Sequence, residues 1–196
     1  MLLPFSKRGR EWEPIGVELR GLLALGSGAQ LDPWQLALKV GLTVIDGNTA
    51  LKNLATDLRN HLLGIGHCSW SGGVYPEPLP DGTFLCILNP NHSQRRNKIT
   101  LMEEVVHTYC HHRPSGLEFH VDCVSIRHFD PQQEEEAYGV GAAALLPWEP
   151  FFRRVNNGGT AEELAEHYDV TPDLVNYRIK ITGAYALYRA RQRLRV

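Results

Sequence analysis

Thr100-Leu101-Met102-Glu103-Glu104-Val105-Val106-His107-Thr108-Tyr109-Cys110-His111-His112 is the stretch on which the reading of this chain turns. Residues 103 and 107 are four apart and lie about 40° from one another around a helix, so their side chains converge on one point. This is the layout of the metal-binding helix H-E-x-x-H. There the outer pair grips one ion and the inner Glu faces the ion's water as general base. Here Glu104 and His107 hold the expected places, and Glu103 stands where the first His belongs. A carboxylate oxygen is a known zinc ligand. Put in place of a neutral imidazole, it makes the site more anionic and shifts preference toward harder ions such as Mn2+. Glu103 has a second reading of equal weight. Thr100-x-x-Glu103 is a capping box, in which the carboxylate turns back to the Thr100 N–H and is lost to a metal.

A third ligand has to come from elsewhere, and Gln132-Gln133-Glu134-Glu135-Glu136-Ala137-Tyr138 is the best source. On a helix, Glu136 points inward with Val140 and Ala143, at spacings of four and seven. A carboxylate on an apolar face needs a cation or a hydrogen-bond partner. Glu134 and Glu135 read most simply as first-turn residues. His111 lies four residues beyond His107, on the same stripe, and is an auxiliary candidate. With His112 it also reads as a helix-end cation that favours the dipole. Cys110 reads as a small core residue. His120-Val121-Asp122 reads as a strand face at the surface.

Around this centre the pattern is mixed. The first 30 residues look loosely organised, with a weak helical run from Ile15 to Leu25. Asp32 caps a helix whose first position is Pro33, and Gly41 ends it. Leu42 to Ile45 reads as a strand and Thr49 to Leu63 as a helix. Trp70 to Tyr75 and Thr83 to Leu88 read as strands around the turn Pro80-Asp81-Gly82. The motif helix is predicted over Thr100–His112, a strand or hairpin over Glu118–His128, and an alanine-rich helix from Pro131 to Leu146. Helices follow from Phe151, from Thr160 to Tyr168, and from Thr171 to about Arg193. The expectation is an α+β fold, mostly helical, with a small sheet beside the two motif-bearing helices.

The totals are those of an ordinary globular chain: 196 residues, 43% hydrophobic, 21% charged, formal net charge −2. No global signal for a polyanionic partner follows. The basic tail from Tyr188 to Arg195 reads as a solvated helix end. Ala161 to Tyr177 has a helix-turn-helix cadence. Its second helix carries only Arg178 and Lys180 as cations, which is thin for phosphate binding, so direct nucleic-acid contact is not expected. Four cysteines occur singly and form no C-x-x-C pair. No secretory signal or membrane-length apolar run is read, and the expected setting is cytoplasmic.

Two blocks in order carry a resemblance. Lys98 to His107 is similar to R-F-T-L-A-H-E-L-G-H. Glu136-Ala137-Tyr138-Gly139-Val140-Gly141-Ala142-Ala143-Ala144-Leu145-Leu146-Pro147 is similar to E-A-N/D-x-F-A-A-x-L-L-M-P. Asp32 to Val44 upstream and Glu163 to Pro172 downstream extend the likeness to about residues 32–182. The chain resembles the ImmA/IrrE family of metallopeptidase-like proteins. The resemblance implies a zincin-like core over residues 32–196, preceded by an extension over 1–31. It implies Glu104 as general base, with His107, Glu136 and the substituted Glu103 as metal ligands. Zn2+ is the implied ion, with Mn2+ the alternative. Tyr138 and His111 are the candidates for steadying an oxyanion. The implied substrate is a protein, typically a helix-turn-helix transcriptional repressor. The rival expectation is a non-catalytic member, with the metal absent or structural, that binds such a partner without cutting it.

Overall fold

A computed structural model describes residues 2–64, 66, 69–112, 116–120, 123–128 and 130–194. In it the motif helix starts well before Thr100. This helix is the fifth, α5, Gln94–Tyr109, and its N-cap Ser93 accepts a hydrogen bond from the Arg96 N–H at 3.2 Å. Thr100 lies in the second turn, where backbone donors already have carbonyl partners four residues back. The capping-box reading of Glu103 therefore falls. Leu101, Met102, Val105 and Val106 make the buried face of α5.

The helix that faces it, α6, is Pro131–Leu145, capped by Asp130 through the Gln132 N–H at 2.7 Å. It matches the alanine-rich helix expected there. Small residues make it thin enough to be packed on two sides. A methyl group on Gly139 would overlap the Trp12 ring, and one on Gly16 would come within 2.8 Å of Ala143 Cβ. Trp12 and Gly16 belong to α1, Lys7–Gly21, which lies along α6. Residues read from sequence as loosely organised thus form a 15-residue helix whose Trp12 and Leu19 enter the core. Its buried positions, Gly9, Trp12, Glu13, Gly16, Leu19 and Arg20, have helical spacing. They are not an apolar stripe, so hydrophobic periodicity misses them.

Two of them hold the far end of α6. Glu13 accepts from the Trp148 N–H at 2.7 Å and pairs with the guanidinium of Arg178, which is fully buried. Arg178 Nε also donates to the Leu146 carbonyl at 3.1 Å. Arg20 donates to the carbonyls of Ala144, Gly26 and Ala29 at 2.9, 2.7 and 2.6 Å. Helix ends leave carbonyls without partners, and cations favour that end of the dipole. Arg178 is therefore core, not a phosphate contact.

Among the described residues the strands form a three-stranded sheet and a separate hairpin. After α2 (Pro33–Lys39) comes β1 (Leu42–Asp46), parallel to β3 (Phe84–Leu88), with Leu42 opposite Phe84 and Asp46 opposite Leu88. The strand β2 (Gly72–Pro78) pairs antiparallel to the other side of β3. α5 packs on β2 and β3. The hairpin is β4 (Gly116–His120) with β5 (Cys123–His128). The His120-Val121-Asp122 alternation falls partly outside the described residues. The helix expected over Thr49–Leu63 is broken into α3 (Gly47–Ala50), a short turn, and α4 (Thr56–Leu63), with Leu54 extended between them. α4 has no buried residue, so no core contact holds the segment as one helix.

Four helices close the chain: α7 (Trp148–Asn156), α8 (Ala161–Tyr168), α9 (Pro172–Ile181) and α10 (Tyr185–Arg193). The expected single helix from Thr171 to Arg193 is interrupted at Gly183, whose φ of +77° suits glycine. Asp169, after α8, pairs with Lys98 at 3.3 Å and Arg95 at 3.0 Å, tying α8 to the head of α5. No helix among the described residues is long and apolar enough to cross a membrane. The architecture is α+β, as the sequence pattern predicts.

Candidate metal centre

α5 ends in a left-handed turn. Cys110 is its cap residue, and His111 has a φ of +55°. The His112 N–H donates to the His107 carbonyl at 3.0 Å, and the His111 N–H to that of Thr108 at 3.3 Å. This is the paired closure of a Schellman motif, with His where glycine is usual. Its consequence is positional. His111 is turned out into solvent, off the stripe on which the sequence places it. His112 is folded back over the last turn. Its Nδ1 lies 3.0 Å from His107 Nδ1, the two rings edge to face.

Two acids on α6 meet this imidazole pair. His112 Nε2 is 3.4 Å from Glu136 Oε2, and His107 Nε2 is 3.7 Å from Glu134 Oε1. Both imidazoles are nearly covered, with side-chain exposures of 6% and 7%. Among the described residues, Cys110, His112 and Glu136 bring a sulfur, a nitrogen and an oxygen all within 4.8 Å of one another. Thiolate, imidazole and carboxylate are the donors zinc takes, and three of them leave a fourth position for water. This set fits a zinc-like ion.

Residues 77–180 match the family model described as the IrrE N-terminal-like domain, a peptidase family. That span is more than half of the chain. The chain belongs to this family. No curated protein and no solved structure matches it significantly. The matched stretch contains both motif-bearing helices and the site just described.

The expected residues occupy three places around the IrrE-like site. Glu136 meets the imidazoles. Glu103, half-buried, is outside the Cys110–His112–Glu136 group. Its carboxyl is pushed up to about 8, first by burial and then by the charges of Glu104 and Glu134, with Arg96 opposing. Glu104 is half-buried next to it. Its charge, after burial, helps raise the thiol of Cys86 on β3. Tyr138 stacks edge-on to Tyr177 at 4.5 Å. Burial and the Glu103 charge raise its phenol, so it stays a donor.

The electrostatics point one way. Burial, then Glu136 and Glu18, push the Cys110 thiol up to about 11. Burial raises Glu134, with His112 opposing. Burial is the first cause of each of these shifts, and neighbouring acids add to those of Cys110 and Glu103.

Cys110, His112 and Glu134 are the members that the residue pattern did not single out. For Cys110 a signal existed: seven residues after Glu103 it returns to within about 20° of it around the helix. For His112 none did, because its place depends on a backbone turn that ends the helix three residues early.

Proposed function

We propose that this chain is a metal-dependent peptidase acting on a protein substrate. One observation carries the reading: the end of one helix and the start of another bring imidazole, thiol and carboxylate donors together, in a chain of a peptidase family. The cation would be held between the end of α5 and the start of α6, by Glu136 and the donors of the His107–Cys110–His112 turn. Bound there, zinc or manganese would polarise the scissile carbonyl and acidify a water. Glu104 is the residue to take the proton and pass it to the leaving amine. Tyr138 keeps its hydroxyl proton and is better suited than the exposed His111 to donate to a developing oxyanion. The substrate implied by the resemblance is a helix-turn-helix repressor. An outer strand of the sheet, such as β2, suits an extended segment of it.

A second reading rests on Glu103. It stands in the first ligand position yet lies outside the donor group, as it would in a member that binds a repressor without cutting it. Zinc- or manganese-loaded protein incubated with candidate repressors and a peptide library separates the two, with mass spectrometry as the readout. The peptidase reading expects cleavage that Glu104→Gln abolishes while metal content stays. Repressor binding without cleavage by the loaded protein favours the regulator.

A further inference from the structure

We infer that the cation is gripped by Cys110 Sγ, His112 Nε2 and Glu136, a thiolate-containing set at the end of α5, with His107 as a positioning residue behind it. Among the described residues, these three have ligand atoms that all lie within 4.8 Å of one another. The two nitrogens of His112 have separate tasks. Nδ1 is tied to His107 at 3.0 Å, and Nε2 faces Glu136 at 3.4 Å. A metal-binding His is ordinarily oriented through its other nitrogen in this way.

A cation on His112 Nε2 requires that ring's proton on Nδ1, which then donates to His107 Nδ1 at 3.0 Å. The Nε2 so freed lies 3.4 Å from Glu136 Oε2, with the Cys110 sulfur close by. His107 thereby orients the ligand ring from behind. The sulfur also changes the expected metal. A soft thiolate favours zinc over the harder manganese that Glu103 would favour.

The inference shares its cation with the peptidase reading but does not require cleavage. The test is titration of the full-length, chelator-stripped, reduced protein with Co2+ as the probe. One equivalent should bind, with a sulfur-to-cobalt charge-transfer band in the near ultraviolet. Cys110→Ser should erase the band, and His112→Ala should abolish tight binding. His107→Ala should keep the band but weaken binding about 10–100-fold, with partial rescue in His107→Gln. Glu103→Gln should leave band and affinity unchanged. The wild-type spectrum alone is decisive if a variant does not fold. A one-equivalent complex without the band overturns the inference, as does a band that survives Cys110→Ser, or no binding at all. A thiolate band in a protein that cuts nothing leaves the inference standing and removes the peptidase reading. Cleavage by a protein without the band does the reverse.

Discussion

The two ends of α6 put charged side chains to opposite uses, buried at one end and partly exposed at the other. At its C-terminal end, Glu13, Arg20 and Arg178 meet carbonyls and one another, each guanidinium facing acceptors. At its N-terminal end, Glu134 and Glu136 face two imidazoles and a thiol, and Glu103 and Glu104 add further acid close by. At the first end the charged groups bond to carbonyls or to one another, while Arg20 Nε and Arg178 Nη1 have no hydrogen-bond partner among the described residues. At the second, carboxylates, imidazoles and a thiol are gathered together. The same helix is anchored at one end and gathers metal-type donors at the other.

The sharpest way to break this contrast is to unmatch the anchored end. Glu13→Ala should lower stability by about 3–5 kcal/mol, because it strands a buried guanidinium and the Trp148 N–H. A Glu13→Met, Arg178→Met double variant should lose less than Glu13→Ala alone. Urea unfolding checks both, and equal losses would mean that the pair is no unit. Gly139→Ala should cost about 1–3 kcal/mol through overlap with Trp12, read the same way.

At the donor end, added Zn2+ should raise the unfolding midpoint by mass action, near 2.7 kcal/mol at about 100 times Kd. The increment should vanish in Glu136→Ala but persist in Glu13→Ala, if that variant folds. Without metal, the sign for Glu103 is unusual. Its carboxyl is raised from 4.5 to about 8, so the folded state binds the extra proton between those values. Stability should therefore fall as pH rises through that window. Glu103→Gln should remove this slope, becoming the more stable protein at pH 9 and not at pH 4. A wild-type stability that rises across the window would sink the assignment. The smallest effect expected is at the turn. His111→Gly should stabilise by about 1 kcal/mol, since glycine adopts the left-handed conformation without strain. A lower melting midpoint would mean that the His111 side chain contributes more than its backbone strain removes.

Much of this arrangement could be read along the chain. The motif helix, the alanine-rich helix and all three sheet strands announce themselves through local spacing. Glu136 shares the face of Val140 and Ala143 by spacing, yet it stays partly exposed and faces His112. The anchored end could not be read, because α1 is built on Gly9, Gly16, Glu13 and Arg20, residues that look like surface or loop. The start of α5 is hidden in the sequence because Thr100 imitates a cap that Ser93 provides. The break between α9 and α10 is written in Gly183, but a single glycine within an apolar helical pattern does not reveal its φ.

The sequence by itself placed Glu103, Glu104 and His107 on one helix and Glu136 on another, because side chains three, four and seven apart share a helix face wherever that helix lies. Only the tertiary structure decided which donors meet. His112 reaches Glu136 through a left-handed turn and a helix from elsewhere in the chain. Glu13 is neutralised by a cation 165 residues away. Local pattern sets the direction of a side chain, and packing between distant segments sets what it faces.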